Sequence, residues 1–204
     1  MLFMLTGEVQ TGKTRWLERL TSQASHEEVT CSGVLAPGVW RRRAAGGAGR
    51  GEFEKLGIEN VLLPGGERIP FARRRDLSQK EGTFDPSSQS AAAQLAWDIS
   101  DAALARVNDH FASLSGRARD ASIQRGLLIV DELGRLELMR GGGLTEAVSL
   151  LEAGPLPAFP HAVIVVRAAL AELARERFAT PWGGCQTVFP DDAGSAAIRS
   201  ACEA

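Results

Sequence analysis

The sequence predicts an α/β fold: a mainly parallel sheet flanked by helices, with a small antiparallel hairpin inserted in its first half. Three observations predict it. A short apolar run at the N-terminus leads through a glycine-bracketed loop into an amphipathic helix. A second apolar run, Leu127 to Val130, ends on two adjacent acids, Asp131 and Glu132. Beyond it, strand-like and helix-like segments alternate to the end of the chain. Alternation of this kind specifies parallel strands joined by right-handed crossovers.

The first run, Leu2 to Leu5 (LFML), reads as a buried strand of a parallel sheet. The helix after the loop presents Trp16, Leu17, Leu20 and Ala24 on one face and turns Arg15, Glu18 and Arg19 away. Between them lies GEVQTGKT, Gly7 to Thr14. A strand before and a helix after give GxxxxGK[ST] the context of a phosphate-binding loop. Each residue type has a task there. Gly7 and Gly12 let the backbone curl around an anion without a Cβ in the way. The helix starting near Lys13 offers free N–H groups to it. Glu8, Val9, Gln10 and Thr11 supply the rest of the cradle. Lys13 is expected to reach the β- and γ-phosphates of a nucleoside triphosphate, and the Thr14 hydroxyl to ligate Mg²⁺.

Val29 to Ala36 (VTCSGVLA) reads as the next strand. A glycine- and arginine-rich stretch follows, then IENVLL and RIPFA on either side of PGGE. Pro-Gly-Gly between short apolar runs is a hairpin signal, so residues 37–75 are expected to form an antiparallel appendage. A long helix is expected over 85–116. Asp85 would cap it and Pro86 take its first position. Leu95, Ile99, Ala103, Val107, Phe111 and Leu114 recur every three or four residues, and Gly116 would end it. A polar loop then leads to GLLIVDELGRLEL. Its apolar run delivers Asp131 to the C-terminal edge of the sheet, where ligands of open α/β sheets lie. Asp131 is expected to hold Mg²⁺, and Glu132 to orient or deprotonate a water. AVIVVR and CQTVF are expected strands; the segments around LTEAVSLLEA, AALAELARERF and DAGSAAIRSAC are expected helices.

Composition excludes several classes of function. A chain of 204 residues, 44% hydrophobic and 24% charged, suits one soluble domain over 1–204. A net charge of −2 gives no overall attraction to nucleic acid or anionic membrane. No apolar run approaches the roughly 20 residues that a bilayer requires. The N-terminal run is too short for a signal peptide and lacks a basic lead. Cys31, Cys185 and Cys202 are odd in number and far apart, as expected of reduced thiols in a cytoplasmic protein. His26, His110 and His161 have no metal-ligand spacing.

Taken together, GEVQTGKT, SGVLAPGVW, GRGEFEKLGIENV, ERIPFA and VDELGRLEL resemble the small P-loop nucleoside-triphosphatases first named from a thermophile enzyme, which include a human cancer-related relative. The resemblance runs from Met1 to about Phe189. It implies a RecA- or AAA-like core and slow Mg²⁺-dependent hydrolysis of several nucleoside triphosphates. Carried over by motif, Gly7 to Thr14 bind phosphate, Asp131 binds the metal and Glu132 is the base. Glu137 matches the family's DEIGxMEL motif without a role that its position explains. The chain departs from the family in two places: the hairpin is expanded by RRRAAGGAGR, and the family's C-terminal asparagine–arginine pair is not evident in VFPDDAGS. In a RecA-like order, strand 161–166 lies between the first strand and the Asp131 strand. Arg167 would then stand near the γ-phosphate as a sensor, against the plain alternative of a surface charge.

Other readings share these motifs. Asp131-Glu-Leu-Gly134 fits the DxxG of a regulatory GTPase, but no [NT]KxD element for guanine is present. A nucleotide or nucleoside kinase would use the same loop, with the helix and its arginine-rich neighbours as a lid, yet does not usually need the adjacent Asp-Glu. Arg41, Arg42, Arg43, Arg50 and Arg73 to Arg75 form a local basic excess, but only Trp40, Phe53 and Phe71 lie near as aromatics. A solvated charged hairpin explains them better than nucleic-acid binding. Oligomeric state has no signal in the sequence.

Overall fold

The computed structural model describes residues 1–8, 11–43, 52–120 and 122–203. The expectations placed on Val9, Gln10 and Arg50, and on most of the arginine- and glycine-rich expansion, lie outside those residues.

Among the described residues, nine strands form one sheet. Five are parallel: β1 (Leu2–Leu5), β2 (Thr30–Leu35), β7 (Gly126–Leu133), β8 (His161–Val166) and β9 (Cys185–Val188). They lie in the order β2-β7-β8-β1-β9, so β8 separates the first strand from the Asp131 strand. The other four are antiparallel: β3 (Gly38–Arg42), β4 (Phe53–Leu63), β5 (Glu67–Arg74) and β6 (Trp97–Ile99). The near-unbroken apolar runs of β1, β7 and β8 follow from burial on both faces. One face carries α1 (Lys13–His26) and α7 (Asp192–Cys202) over Phe3, Leu5, Leu127, Ile129 and Val165. The opposite face carries α4 (Asp101–Ala118), α5 (Thr145–Ala153) and α6 (Ala171–Phe178), with Phe111 and Phe178 fully buried against Met4, Leu128 and Ile164. Burying a side chain of that size stabilises the fold by about 2–3 kcal/mol.

The insertion is a wing of the sheet itself. The C-terminal half of β4 pairs with β2, Leu35 opposite Val61. Its N-terminal half pairs with β3, Gly38 opposite Ile58 and Arg42 opposite Phe53. Strand β3 thus continues the line of β2 past the end of the parallel strands, and β4 follows it outward. The hairpin between β4 and β5 falls at residues 64–66, where Pro-Gly-Gly predicts it. The described residues of the 37–75 segment are therefore antiparallel as expected, but continuous with the main sheet.

The expected long helix over 85–116 is not formed. Residues 75–118 divide into α2 (Arg75–Glu81), a single turn α3 (Gln89–Ala92), strand β6 and helix α4. Two serines compete with a continuous helix. The Ser88 hydroxyl caps the short turn by accepting from the Ala91 N–H, and the Ser100 hydroxyl starts α4 by accepting from the Ala103 N–H. Between them Trp97–Ile99 pair with Ala72–Arg74 at the sheet edge. Asp85 accepts from the Ser87 N–H and hydroxyl instead of capping a helix. Gly116 does not stop α4, which runs on to Ala118. The apolar spacing from Ala103 to Leu114 is real and forms the buried face of α4.

Candidate functional site

The parallel strands end together at one edge, and the wing rises beside it. Between them is a cleft of about 430 Å³. Thr11, Gly12, Lys13 and Thr14 line one side, Asp131, Glu132 and Arg167 the floor, and Trp40, Lys55 and Trp97 the wing side.

The loop is set by its own backbone. Gly12 holds φ at +87°, a left-handed conformation natural to glycine, and turns the chain into α1. No side chain caps α1 and its first turn carries no acid, so its N–H groups face the cleft without an internal competitor. Lys13 is buried; its Nζ donates to the carbonyls of Gly7 at 2.9 Å and Glu8 at 2.6 Å. The Thr11 hydroxyl donates to the same Glu8 carbonyl at 2.9 Å.

Strand β7 supplies the acids. Asp131 is 2% exposed. Its Oδ2 accepts from the Ala36 N–H at 2.9 Å, and Thr14 lines the cleft with it. Burial pushes its carboxyl up to about 6, against the downward pull of Ala36, Thr14 and Lys55. Thr14 and Asp131 are hard oxygen donors in the same cleft, a pair that suits Mg²⁺, which leaves most of its shell to water and phosphate oxygens. Among the described residues no group of three or more His, Cys, Asp and Glu could hold a metal through protein ligands alone. Glu132 points elsewhere, and its Oε1 accepts from Arg167 Nε at 2.6 Å. Arg167 leaves the end of β8 directly beside it. The structure thus brings together Gly7, Glu8, Thr11, Gly12, Lys13, Thr14, Asp131, Glu132 and Arg167 around one sheet edge.

Glu137 has a definite place. It is buried, and its carboxylate accepts from the Gly134 N–H at 2.8 Å and the Leu144 N–H at 3.0 Å. Burial pushes its carboxyl upward. Gly143 makes room for it: a Cβ there would stand 1.9 Å from Glu137 Oε1. Glu137 therefore ties the turn after Glu132 to the start of α5.

Sequence reasoning missed the wing side of the cleft. Lys55, Trp40 and Trp97 come from three strands, and no local pattern joins them. The only signal was the alternation in EFEKLGIE, which assigns Lys55 to a strand face but not to the cleft.

No protein-family model and no curated protein sequence matches this chain. Among solved structures it is similar to a human cancer-related nucleoside triphosphatase determined in solution, with a TM-score of 0.60 and 16% identity over 99% of this chain and 95% of that one. The chain has a nucleoside-triphosphatase-like α/β fold, a single mixed sheet flanked by helices. Among the described residues no helix is long and apolar enough to cross a membrane.

Proposed function

We propose that this protein hydrolyses nucleoside triphosphates to the diphosphate and phosphate, with Mg²⁺ and with little selectivity among bases. One observation carries the reading: Thr14 and the buried Asp131 line the same cleft as Lys13 and the Glu132–Arg167 pair. The N–H groups of Gly12 to Arg15 and the ammonium of Lys13 bind the phosphate chain. Mg²⁺, held by Thr14 and Asp131, would neutralise charge on the β- and γ-phosphate oxygens. Glu132 lies away from that oxygen pair and is the residue to take a proton from the attacking water. Arg167 fixes the direction of the Glu132 carboxylate and offers its remaining N–H groups to the γ-phosphate. Among the described residues, the cleft lining holds no recognisable motif for reading one base. The likeness in fold to a nucleoside triphosphatase is in keeping with this reading.

Phosphate release from ATP, GTP, CTP and UTP, with Mg²⁺ or with EDTA, tests it. Mg²⁺-dependent release from several of the four is expected. Transfer to an added nucleoside or nucleotide, with no release to water, would favour a kinase instead. Preference for one triphosphate by more than about a thousandfold would reveal a base pocket.

A further inference from the structure

The arginines of the wing are already paired. Arg41 and Arg74 meet Glu54, Arg42 meets Glu52, Arg68 meets Glu59 and Arg73 meets Glu81. Lys55 is different. Among the described residues it makes no ion pair or hydrogen bond, although it is half-buried in the cleft. Its Nζ stands 5.3 Å from the centre of the Trp97 ring. Trp40 is its cross-strand partner. Gly38 makes this packing possible, since a Cβ there would lie 2.7 Å from Lys55 Cε and 2.6 Å from Trp40 Nε1. Burial lowers the pKa of the amine, while Glu132 and Asp131 across the cleft raise it. The wing thus holds a cation at a fixed place, facing the loop and the acids, with no carboxylate beside it. A charge partly withdrawn from water with its counter-charges only across the cleft is costly, and an anion entering the cleft reduces that cost.

We propose that Lys55 is a catalytic residue that contacts the γ-phosphate from the side opposite Lys13. The inference rests on the hydrolase reading above. In that reaction the water oxygen bonds to the γ-phosphorus, and the bond from phosphorus to the β–γ bridging oxygen breaks. The electron pair leaves with the diphosphate, and the proton shed by water passes to Glu132 and on to solvent. Lys55 transfers no proton. It balances the negative charge on the γ-phosphoryl oxygens as they move, the task a positioned cation does in phosphoryl transfer.

Lys55→Met keeps the stem against Trp97 and removes the charge. Turnover of ATP with Mg²⁺ should fall at least ~10-fold. Affinity for the β,γ-imido analogue of ATP should fall by a similar factor while affinity for ADP is unchanged. Lys55→Arg should recover most of the loss. Gly38→Ala, which crowds the stem but leaves the charge, provides a second variant and should also lower kcat. Arg42→Met, on the same wing but paired with Glu52, should behave as wild type. Wild-type turnover in Lys55→Met, or equal loss of affinity for the imido analogue and ADP, overturns the assignment. If the unaltered protein hydrolyses no triphosphate, the hydrolase reading fails and Lys55 falls with it; an active protein indifferent to Lys55 refutes Lys55 alone.

Discussion

The two walls of the cleft are made by different kinds of sheet. On the parallel side Asp131 comes from the end of β7 and Arg167 follows β8, while Lys13 and Thr14 open α1 after the loop that follows β1. Their positions are fixed by strands buried on both faces, and the acids are held by backbone and side-chain donors. On the antiparallel side the wing is more solvated and its described arginines lie against neighbouring acids; it adds Trp40, Lys55 and Trp97 to the cleft wall, and among the described residues Lys55 makes no ion pair. The difference suggests a division of labour. On the proposed reading, the parallel wall would bind and orient a phosphate chain, and the wing would place Lys55 at its far end.

The sharpest way to break that division is to remove the loop lysine. Lys13→Ala should lose ~10²-fold or more in kcat/KM for any triphosphate used, because its charge acts where the anion is densest. Steady-state phosphate release measures it, and normal turnover would leave the parallel wall without its assigned function. Glu132→Gln comes next. It keeps the shape and a partner for Arg167 but removes the charge that accepts a proton. It should bind the nucleotide as wild type does and turn it over at least ~10²-fold more slowly. Normal turnover with normal binding would move the kinase reading forward.

The parallel wall was legible because its information is contiguous. LFML followed by GEVQTGKT, and LLIV followed by Asp131 and Glu132, each state a strand and its functional end within a dozen residues or so. The strand order that puts Arg167 beside the acids was not stated by these stretches; it was expected only from the RecA-like order that the family resemblance implies. The wing was not legible for the opposite reason. Trp97 belongs to a three-residue strand whose existence depends on pairing with β5; Leu95 and Ile99 happened to continue the helical spacing of α4. Neither propensity nor period can register a strand that short. Glu137 was recognisable as part of a motif, but its role depends on reaching Leu144 across a loop, which spacing does not encode.

A smaller effect separates function from stability on the parallel wall. Burial raises the Asp131 carboxyl from its ordinary 3.8 to about 6. Between those values the folded chain binds the proton more tightly than the unfolded chain. Without metal, its contribution to stability is therefore most favourable below about pH 4, declines as pH rises, and is fully lost above about pH 6. The cost of ionising it in the folded state is about 3 kcal/mol at neutral pH. Asp131→Asn should weaken Mg²⁺-dependent nucleotide binding, yet make the EDTA-treated protein more stable at pH 7.5, by up to that amount. Melting in EDTA at pH 7.5 and near pH 4 checks the sign, since the gain should shrink toward the acid end. A loss of stability at pH 7.5 would mean that the contact to Ala36 outweighs the burial of charge.

The least change is expected at the arginines of the wing. Their clustering in the sequence resembles an electrostatic footprint for nucleic acid, but most of their charge is met at close range: Arg41 donates to Glu54 at 2.8 Å, Arg42 lies 2.6 Å from Glu52, and Arg74 donates to Asp76 at 2.5 and 2.9 Å. Polyanion binding would have to break these pairs, and only phosphate contacts that release counterions would repay it. Arg42–Glu52 is exposed at both partners, and such a pair contributes about 0–1 kcal/mol to stability; Glu54 is largely covered but keeps Arg43 and Arg74 when Arg41 is removed. Arg41→Ala and Arg42→Ala should therefore leave both the melting temperature and phosphate release nearly unchanged. Titration of the intact chain with mixed-sequence RNA or DNA at low and moderate salt should show no tight, steeply salt-dependent binding. If it does, and if Arg41→Ala and Arg42→Ala abolish it, the wing has a polymeric partner and the division between the two walls has been drawn in the wrong place.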